Sequence, residues 1–362
     1  MKALVCGAGV GGLSAAIGLA NIGCQVEVFE RSPELRAAGA GLMLWPNAVR
    51  ALYAIGLRRQ YDAISVKIEK FLNYAPDGTF LYEKNTSDWP ERYGAPNTVV
   101  HRRALIDMLA AALGMNHIKF GHELVSVRND GDKAICEFEN GKVYTGDLVI
   151  GADGIHSRVR QQILGGDIKY RKNEHHAFRM RGVVPLSQVP VDPAAQTGYS
   201  DDKSFFCVVP LADGMAYWFG SVAGATSIDE FMDHFSSWKN THIPNTLRIT
   251  PRDAILENEL HDFENPPDRW SLGRITLLGD AAHAMMPDMA QGASQTFIDS
   301  QVLSEVLLAN RDVELALRQY ENLRKPVAYH VVDRSRRGGL RKNGFEPIAV
   351  RYEKEIEGFV VR

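Results

Sequence analysis

A glycine-rich turn near the amino terminus contains the first residues whose types and spacing could do chemistry. The turn consists of Gly7, Ala8, Gly9, Val10, Gly11 and Gly12; it follows the apolar residues 2–6 and precedes a segment with the pattern of a closely packed helix. Such glycines let a pyrophosphate approach the backbone at a helix amino terminus. Glu30 ends the next strand, residues 25–30, where an acidic side chain can bind a ribose diol. The spacing therefore predicts a dinucleotide site, without deciding which dinucleotide it binds.

A second glycine-rich turn follows the apolar strand that ends at residue 151. It runs from Gly151 through Asp153 to Gly154 and opens a helix. Asp153 or Ser157 could simply cap this helix by accepting hydrogen bonds from its free amides. A cap alone does not explain why two glycines bracket an alanine and an aspartate at the end of a buried strand. Both interpretations of Asp153, a helix cap and a ligand-binding residue, are compatible with the sequence.

A third turn has the same strand-to-helix arrangement at residues 279–293. Asp280 follows the apolar strand 274–279, where a carboxylate can bond to sugar-like hydroxyls. Gly292 and Ala293 begin a long helix whose free amides can stabilise negative charge. His283 lies close to Asp280 and could either support the turn or exchange protons.

The elements around these turns predict an α/β fold. Strand, helix and strand alternate over residues 2–30, and amphipathic helices are expected from about Pro46 and over 102–113. Alternating residues at 66–84, divided by the turn at 76–79, predict a β-hairpin, and a second hairpin turns at Asn140-Gly141. Residues 175–225 are again rich in strand patterns.

Composition excludes several classes of protein. At 362 residues and about 150 residues per domain, the chain should form about two domains. A formal net charge of -3 argues against a nucleic-acid-coating surface. The four cysteines show neither paired nor metal-ligand spacing, so no metal site is expected. No signal peptide or stretch of 18 apolar residues is apparent, and we expect a cytoplasmic protein without a membrane segment.

Together, the three turns in this order resemble the class A flavoprotein monooxygenases, the family of para-hydroxybenzoate, salicylate, phenazine and urate hydroxylases. The resemblance is most specific in GADGIHSRVR (151–160) and in GRITLLGDAAHAMMPDMAQGAS (273–294). It implies a Rossmann-like FAD-binding domain of the GR2 type with an inserted β-rich substrate domain. The expected FAD-binding segments are 1–70, 97–168 and 268–335. The expected substrate-binding segments are 71–96 and 169–267, and a carboxyl-terminal tail follows at 336–362.

The resemblance also implies how non-covalently bound FAD is held. The first turn and Glu30, with Arg31 beside it, would hold the ADP half of FAD. Asp153 and Gly154 match a segment implicated in both FAD and NAD(P)H binding, and Asp280 matches the residue that bonds the ribityl chain. Three more residues match positions near the flavin: Arg36, Gly41 and Arg102. Arg103 is an alternative to Arg102. Arg36 could equally be a solvated loop charge, and Arg102 could be a surface arginine at the start of its helix.

The activity implied by the resemblance is hydroxylation of a small aromatic or heteroaromatic molecule through a flavin hydroperoxide. NADPH or NADH would serve as a transient co-substrate, because no second dinucleotide fold is apparent, and dioxygen would supply the oxygen atom. Pro287 would leave room beside the reacting edge of the flavin, where the amides of Gly292 and Ala293 would stabilise the reduced ring. His283 is a candidate acid or base. We expect a monomer or a homodimer.

Substrate contacts are expected from the inserted sheet and from the loops near the flavin. Tyr217 could orient a phenol or heterocycle, and Arg181 would favour an acid. Phe206, Trp45 and Met286 are further candidates, although an aromatic residue on a strand is more often part of the core. Epoxidation or C=C reduction on the same fold, or binding of a flavin and a small molecule without catalysis, are the alternatives. A halogenase is disfavoured because the sequence has no W-x-W-x-I-P motif.

Replacing Asp280 tests the cofactor prediction. Loss of hydrogen bonds to a carboxylate, about 1.5–3 kcal/mol, should weaken FAD binding about 10- to 100-fold in Asp280→Ala. The FAD content of the purified variant and titration of the apoprotein with FAD measure this effect. Full flavin occupancy with normal activity would contradict the prediction.

Overall fold

The computed structural model describes residues 1–35, 41–166, 168–172, 178–257, 260–337, 340–341 and 344–345. Arg36, which the sequence places near the flavin, and residues 346–362 of the expected tail lie outside this set. In chain order the strands are β1 Lys2–Cys6, β2 Gln25–Glu30, β3 Gly41–Leu44, β4 Ser65–Lys67, β5 Lys70–Tyr74, β6 Phe80–Asn85, β7 Thr98–His101, β8 Ile118–Phe120, β9 Leu124–Asp130, β10 Lys133–Phe138, β11 Val143–Gly146, β12 Leu148–Gly151, β13 Tyr170–Lys172, β14 Phe178–Pro185, β15 Ala195–Ser200, β16 Ser204–Pro210, β17 Met215–Val222, β18 Leu256–Glu257, β19 His261–Phe263, β20 Ser271–Leu272, β21 Ile275–Leu277, β22 Leu340–Arg341 and β23 Gly344–Phe345. The helices are α1 Val10–Asn21, α2 Pro46–Ala54, α3 Arg58–Asp62, α4 Trp89–Tyr93, α5 Arg102–Leu113, α6 Arg158–Leu164, α7 Ile228–Ser236, α8 Ile243–Ile249, α9 Asp280–His283, α10 Gly292–Ala309 and α11 Val313–Arg336.

A six-stranded sheet brings the three turns together. Its order is β20-β21-β12-β1-β2-β8, and β21, β12, β1, β2 and β8 run parallel. The central strands β1 and β12 are apolar along almost their whole length because helices or other strands cover both faces of the sheet. The register pairs Cys6 with Gly151 and Gly151 with Leu277, so these three strands end level with one another.

Helix α1 packs closely against the sheet and against α10. A Cβ atom at Gly12 would overlap the carbonyl oxygen of Gly7, so only glycine fits where the helix meets the turn. The hydroxyls of Ser14 and Ser300 lie 2.7 Å apart between α1 and α10. Of the helices among the described residues, none is both long and apolar enough to cross a membrane.

A second, seven-stranded sheet lies over the carboxyl edge of the first. Its order is β18-β14-β17-β16-β15-β5-β6, and its strands come from residues 70–85 and 178–257. One face packs against α7 and α8 in an apolar cluster that includes Trp218, Phe231 and Phe235. The other face turns toward the three turns. The domain boundaries given above stay a prediction.

Most of the predicted elements are confirmed, with two local differences. The hairpin around the turn at 76–79 consists of β5 and β6, whereas residues 65–67 pair with β7 in a separate three-stranded sheet. Alternation of apolar residues could not separate these strands because both are half-buried. The long helix begins at Gly292, one residue earlier than the apolar pattern suggested.

Replacing Gly12 tests the close contact between α1 and the first turn. We expect Gly12→Ala to destabilise the apoprotein by about 3 kcal/mol, because overpacking forces the backbone to move. Urea unfolding measures the change. Gly166→Ala is the matched control, since a Cβ there meets no atom within 4 Å and the position is exposed. Equal stability of the two variants would contradict this packing.

Candidate cofactor and substrate site

A cavity of about 510 Å³ lies between the carboxyl edge of the six-stranded sheet and the seven-stranded sheet. Residues from all three turns line one side of it, and side chains of β14, β16 and β17 line the other. The predicted site residues on its wall are Gly9, Val10, Gly11, Gly41, Arg102, Gly154, Arg181, Tyr217, Asp280, Met286, Pro287, Gly292 and Ala293. The structure thus brings part of the predicted cofactor set and part of the predicted substrate set into one cavity.

The first turn leaves backbone exposed to the cavity. A Cβ atom at Gly9 would meet no atom within 4 Å, whereas Gly7 and Gly12 lie behind the turn in close contact with their neighbours. The Glu30 carboxylate accepts hydrogen bonds from the amides of Ala8 (3.0 Å) and Ser32 (2.9 Å). These bonds fix the partly exposed carboxylate beside the turn and leave acceptor capacity for a hydroxyl-bearing ligand. Arg31 is exposed and does not line the cavity.

Asp153 caps helix α6 in the structure. Its Oδ2 accepts hydrogen bonds from the amides of Arg158 (2.8 Å) and Val159 (3.2 Å), and Ser157 Oγ accepts one from Arg160 (2.9 Å). Burial raises the pKa of Asp153, and the hydrogen bonds from Ser157 and the helix amides oppose the rise. The other carboxylate oxygen is buried without a hydrogen-bond partner among the described residues. The capping interpretation of Asp153 is therefore confirmed, and a direct role in binding a ligand stays a proposal.

The third turn and the start of α10 combine a carboxylate with free amides. Asp280 is exposed to the cavity, and the buried Arg160 donates a hydrogen bond to the next carbonyl, that of Ala281 (3.0 Å). Helix α10 has no side-chain cap, so the amides of its first turn, at Gly292 and Ala293, remain available. Pro287 has no amide hydrogen and lies on the cavity wall between these two segments.

Arg102, and not Arg103, faces the cavity. Arg102 is half-buried and its Nε has no hydrogen-bond partner among the described residues, whereas Arg103 is exposed and bonds to Asp107. Burial lowers the pKa of Arg102, as does the nearby charge of Arg181, while Asp280 opposes the change. A buried cation whose Nε lacks a partner suits an anionic ligand group.

Alternation along the strands of the second sheet decides which side chains reach the cavity. Arg179 and Arg181 of β14, Phe205 and Cys207 of β16, and Tyr217 and Phe219 of β17 all line it. Cross-strand pairing places Phe219 opposite both Arg181 and Cys207. Since successive side chains of a strand point to opposite faces, these residues share one face.

Phe206 therefore lies on the wrong face for a substrate contact. It is fully buried and stacks on Trp218 with 5.3 Å between the ring centroids, in the cluster under α7. Trp45 is fully buried as well, with Phe71 and Trp89 at 5.9 Å, and is absent from the cavity wall. Both predictions of substrate contact were wrong, because Phe206 points to the face of β16 opposite Cys207, and Trp45 packs in a separate apolar cluster with Phe71 and Trp89.

His283 supports the turn and does not reach the cavity. Its side chain is fully buried, its Nε2 lies 2.6 Å from Asp299 Oδ2, and its ring packs against Trp270. A proton exchanged by His283 would have no described path to the cavity wall. The prediction of a catalytic acid or base at this position was therefore wrong, and the supporting role is confirmed.

Polar groups on the sheet face are neutral or paired. The hydroxyl of Tyr217 hydrogen-bonds to Arg181, and burial, partly offset by that arginine, raises the pKa of Tyr217 to about 12. Burial raises the pKa of the Cys207 thiol to about 12 as well. At neutral pH, Tyr217 is therefore a neutral phenol that can donate a hydrogen bond, and Cys207 is a thiol without nucleophilic character.

An ion pair in the cavity wall was missing from the sequence-based prediction. Arg179 Nη2 lies 2.7 Å from Asp288 Oδ1, and their side chains are 15% and 6% exposed. The pair joins β14 to the segment after Pro287, so only the fold reveals it. Strand alternation could have identified two further residues of this face. Arg179 lies two residues before Arg181, and Phe219 lies two residues after Tyr217.

The residues present fit FAD. Open backbone at Gly9 and the Arg102 guanidinium match phosphate groups, the anchored carboxylate at Glu30 matches a ribose, and the uncapped amides of α10 match an electron-accepting ring. A family model described as "FAD binding domain" matches residues 1–335. The chain belongs to this family.

Similar proteins of known activity cover almost the whole chain. The aurachin C monooxygenase/isomerase of Stigmatella aurantiaca is 31% identical over 94% of this chain and 89% of its own length. The 3-amino-4-hydroxybenzoate 2-monooxygenase of Streptomyces cremeus is 33% identical over 93% and 86%. The crystal structure of Klebsiella pneumoniae HpxO with FAD and uric acid is 26% identical, has a TM-score of 0.86, and covers 99% of this chain and 95% of that one.

These findings confirm the resemblance to the class A flavoprotein monooxygenases. The protein is an FAD-dependent monooxygenase with the α/β fold of that class.

Replacing Gly9 tests the open side of the first turn. A methyl group there should leave the stability of the apoprotein unchanged, because it meets no protein atom. It should weaken FAD binding at least about tenfold, since it takes the space into which the pyrophosphate must fit. Titration of apo Gly9→Ala with FAD, next to Gly166→Ala, measures the difference. Equal FAD affinity in both variants would show that the cofactor does not approach Gly9.

Proposed function

We propose that the protein uses NADPH or NADH and dioxygen to hydroxylate a small aromatic or heteroaromatic molecule. One observation carries the proposal: the cavity that accommodates the flavin continues to a sheet face with aromatic rings and polar ends. The named relatives support the substrate class, since one acts on an aminohydroxybenzoate and another binds uric acid.

The cofactor is held by residues of the three turns. Glu30 and the amides of the first turn hold the ADP half, Arg102 neutralises phosphate charge, and Asp280 bonds the ribityl chain. When bound, FAD would supply the activation of dioxygen with electrons from NAD(P)H, so that one oxygen atom enters the substrate and the other leaves as water. Arg31, and Asp153 through the turn that it caps, complete the proposed cofactor set.

The wall residues divide into those that stabilise charge and those that exclude water. The first amides of α10, at Gly292 and Ala293, point their positive dipole end at the flavin side of the cavity. Pro287 contributes no hydrogen-bond donor beside them and leaves that space free. The apolar side chains of Met286 and Leu260 keep water away from the reacting atoms.

Tyr217 and Arg181 orient the substrate. Their mutual hydrogen bond holds a neutral hydroxyl and a cation side by side, which suits a phenolic or carboxylate oxygen. Phe219 stacks beside Tyr217, with 5.3 Å between ring centroids, and offers an aromatic surface for a flat ring. The Arg179 and Asp288 pair adds a donor and an acceptor to the same wall. Ring hydroxylation needs no further acid or base from this wall.

Location and assembly complete the proposal. All four cysteines are free thiols, which supports a cytoplasmic location because thiols stay reduced there. We expect a monomer or a homodimer, with dioxygen and the small molecule as the only reaction partners besides NAD(P)H.

A substrate screen tests the proposed function. Aromatic acids, phenols and heteroaromatic compounds are supplied with NADPH or NADH, and oxidation of the nicotinamide, oxygen uptake and product mass are recorded. The proposal predicts that at least one compound stimulates all three, with a product one oxygen atom heavier. Reductant consumption without oxygen uptake would indicate a C=C reductase. No stimulation by any compound of these classes would contradict the proposal.

The hydroxyl of Tyr217 should matter for the substrate and not for FAD. Loss of one hydrogen bond, about 0.5–1.5 kcal/mol, predicts a 3- to 10-fold lower kcat/KM in Tyr217→Phe with unchanged FAD affinity. Tyr199→Phe is the matched control, because Tyr199 is equally buried in the same sheet but packs in the cluster on its other face. Equal kinetics in both variants would rule out a substrate contact at Tyr217.

A further inference from the structure

A buried carboxylate behind the cavity joins three separate segments. Asp299 lies on α10 and is fully buried. Its Oδ2 accepts hydrogen bonds from the amide of Gly279 (3.1 Å) and from His283 Nε2 (2.6 Å), and its Oδ1 accepts one from Arg324 Nε (2.8 Å). Burial acts to raise the pKa of Asp299, but the charges and hydrogen bonds of His283 and Arg324 outweigh it and lower the pKa. The carboxylate therefore stays ionised.

The hydrogen bonds continue from Arg324 to the start of α10. Arg324, itself fully buried on α11, donates from Nη2 to Gln295 Oε1 (2.6 Å). Gln291 Oε1 accepts hydrogen bonds from both Gln295 Nε2 and Asn47 Nδ2, each 3.0 Å long. Gln291 is the residue directly before Gly292. One end of this hydrogen-bond network thus reaches the turn that carries Asp280, and the other end reaches the amides at the start of α10.

A gain in stability alone does not account for this buried hydrogen-bond network. A buried ion pair contributes little compared with well-packed apolar residues, because both charges lose their hydration. The hydrogen-bond network does fix local geometry. Gly279 has φ of 64°, and its amide would otherwise lack a partner in the interior. The group that bonds this amide also belongs to the helix whose amino terminus faces the cavity.

We propose that Asp299, held by Arg324 and His283, is a positioning residue for the flavin. It fixes the Asp280 turn relative to the first amides of α10, and thereby sets both the affinity for FAD and its reduction potential. Reduction adds negative charge to the flavin ring, and correctly placed amides stabilise that charge. Loosening the link should therefore weaken the binding of reduced FAD more than that of oxidised FAD. None of these three residues lines the cavity, so they act through the backbone that they hold.

Asp299→Asn tests the proposal because it retains shape and removes the charge. Its amide group has one acceptor oxygen, so its NH2 faces either Arg324 or the Gly279 amide and His283, and one of these links is lost. We expect about 10-fold weaker binding of oxidised FAD and about 100-fold weaker binding of reduced FAD. The tenfold difference between the two states equals a shift of the two-electron midpoint potential by about 30 mV to more negative values. FAD titrations in both redox states and a potentiometric titration of the holoprotein measure these changes.

Asp262→Asn is the matched control. Asp262 is also fully buried and also joins two arginines, Arg171 (3.2 Å) and Arg336 (2.7 Å), but it bonds to none of the three turns. Both variants should lose thermal stability, and only Asp299→Asn should shift the potential. Wild-type FAD affinities and potential in Asp299→Asn would overturn the proposal. Equal shifts in both variants would also overturn it, because general loosening would then be the cause.

Arg324→Lys keeps the proposal testable if Asp299→Asn does not fold. Lysine retains the charge that Asp299 needs, but it cannot bond both Asp299 and Gln295 in the planar geometry of a guanidinium. We expect a shift in the same direction, with about threefold weaker binding of reduced than of oxidised FAD relative to wild type. An unchanged ratio would contradict the proposal.

Discussion

The parallel pairing of β1, β12 and β21 is the constraint on which the site depends. Each strand ends in a turn that opens a helix, and the level register brings the three turns to one edge of the sheet. A single glycine-rich turn offers a few amides, which suffice for a phosphate but not for a whole dinucleotide. Side by side, the turns supply the open backbone of Gly9, the Asp280 carboxylate and a helix amino terminus along one cavity. The seven-stranded sheet closes this cavity on the side opposite the three turns.

The cavity separates charge by region. The turns and α10 provide amides and Arg102 for a cofactor that carries phosphate and becomes more negative on reduction. On the sheet face, burial keeps Tyr217 and Cys207 protonated, and Arg179 is paired with Asp288. The substrate region therefore holds hydrogen-bonding groups without a strong nucleophile or base. Such a wall can orient an electron-rich ring and leave the chemistry to the flavin, which agrees with the activity of the family.

Features encoded by neighbouring residues could be predicted from the sequence. The three turns, the hairpins, the helix from Arg102 and the cavity position of Asp280 follow from local spacing, whereas the position of Pro287 was implied by the family resemblance. The prediction for β16 was wrong at Phe206 because Phe205 and Phe206 are adjacent and equally apolar, so the sequence does not indicate which of them faces the cavity. Arg179 and Asp288 are 109 residues apart, and Asp299 and Arg324 are joined only when α10 and α11 pack. Long-range pairs of this kind leave no periodic signal in one sequence.

The central claim is that an oxygen atom from dioxygen enters the substrate inside this cavity. Turnover of a substrate under oxygen-18 dioxygen in ordinary water, followed by mass spectrometry of the product, tests it most directly. The account predicts one heavy oxygen atom per product molecule and one NAD(P)H oxidised for each. Product oxygen derived from water, or NAD(P)H oxidation that yields only hydrogen peroxide with every compound, would contradict it.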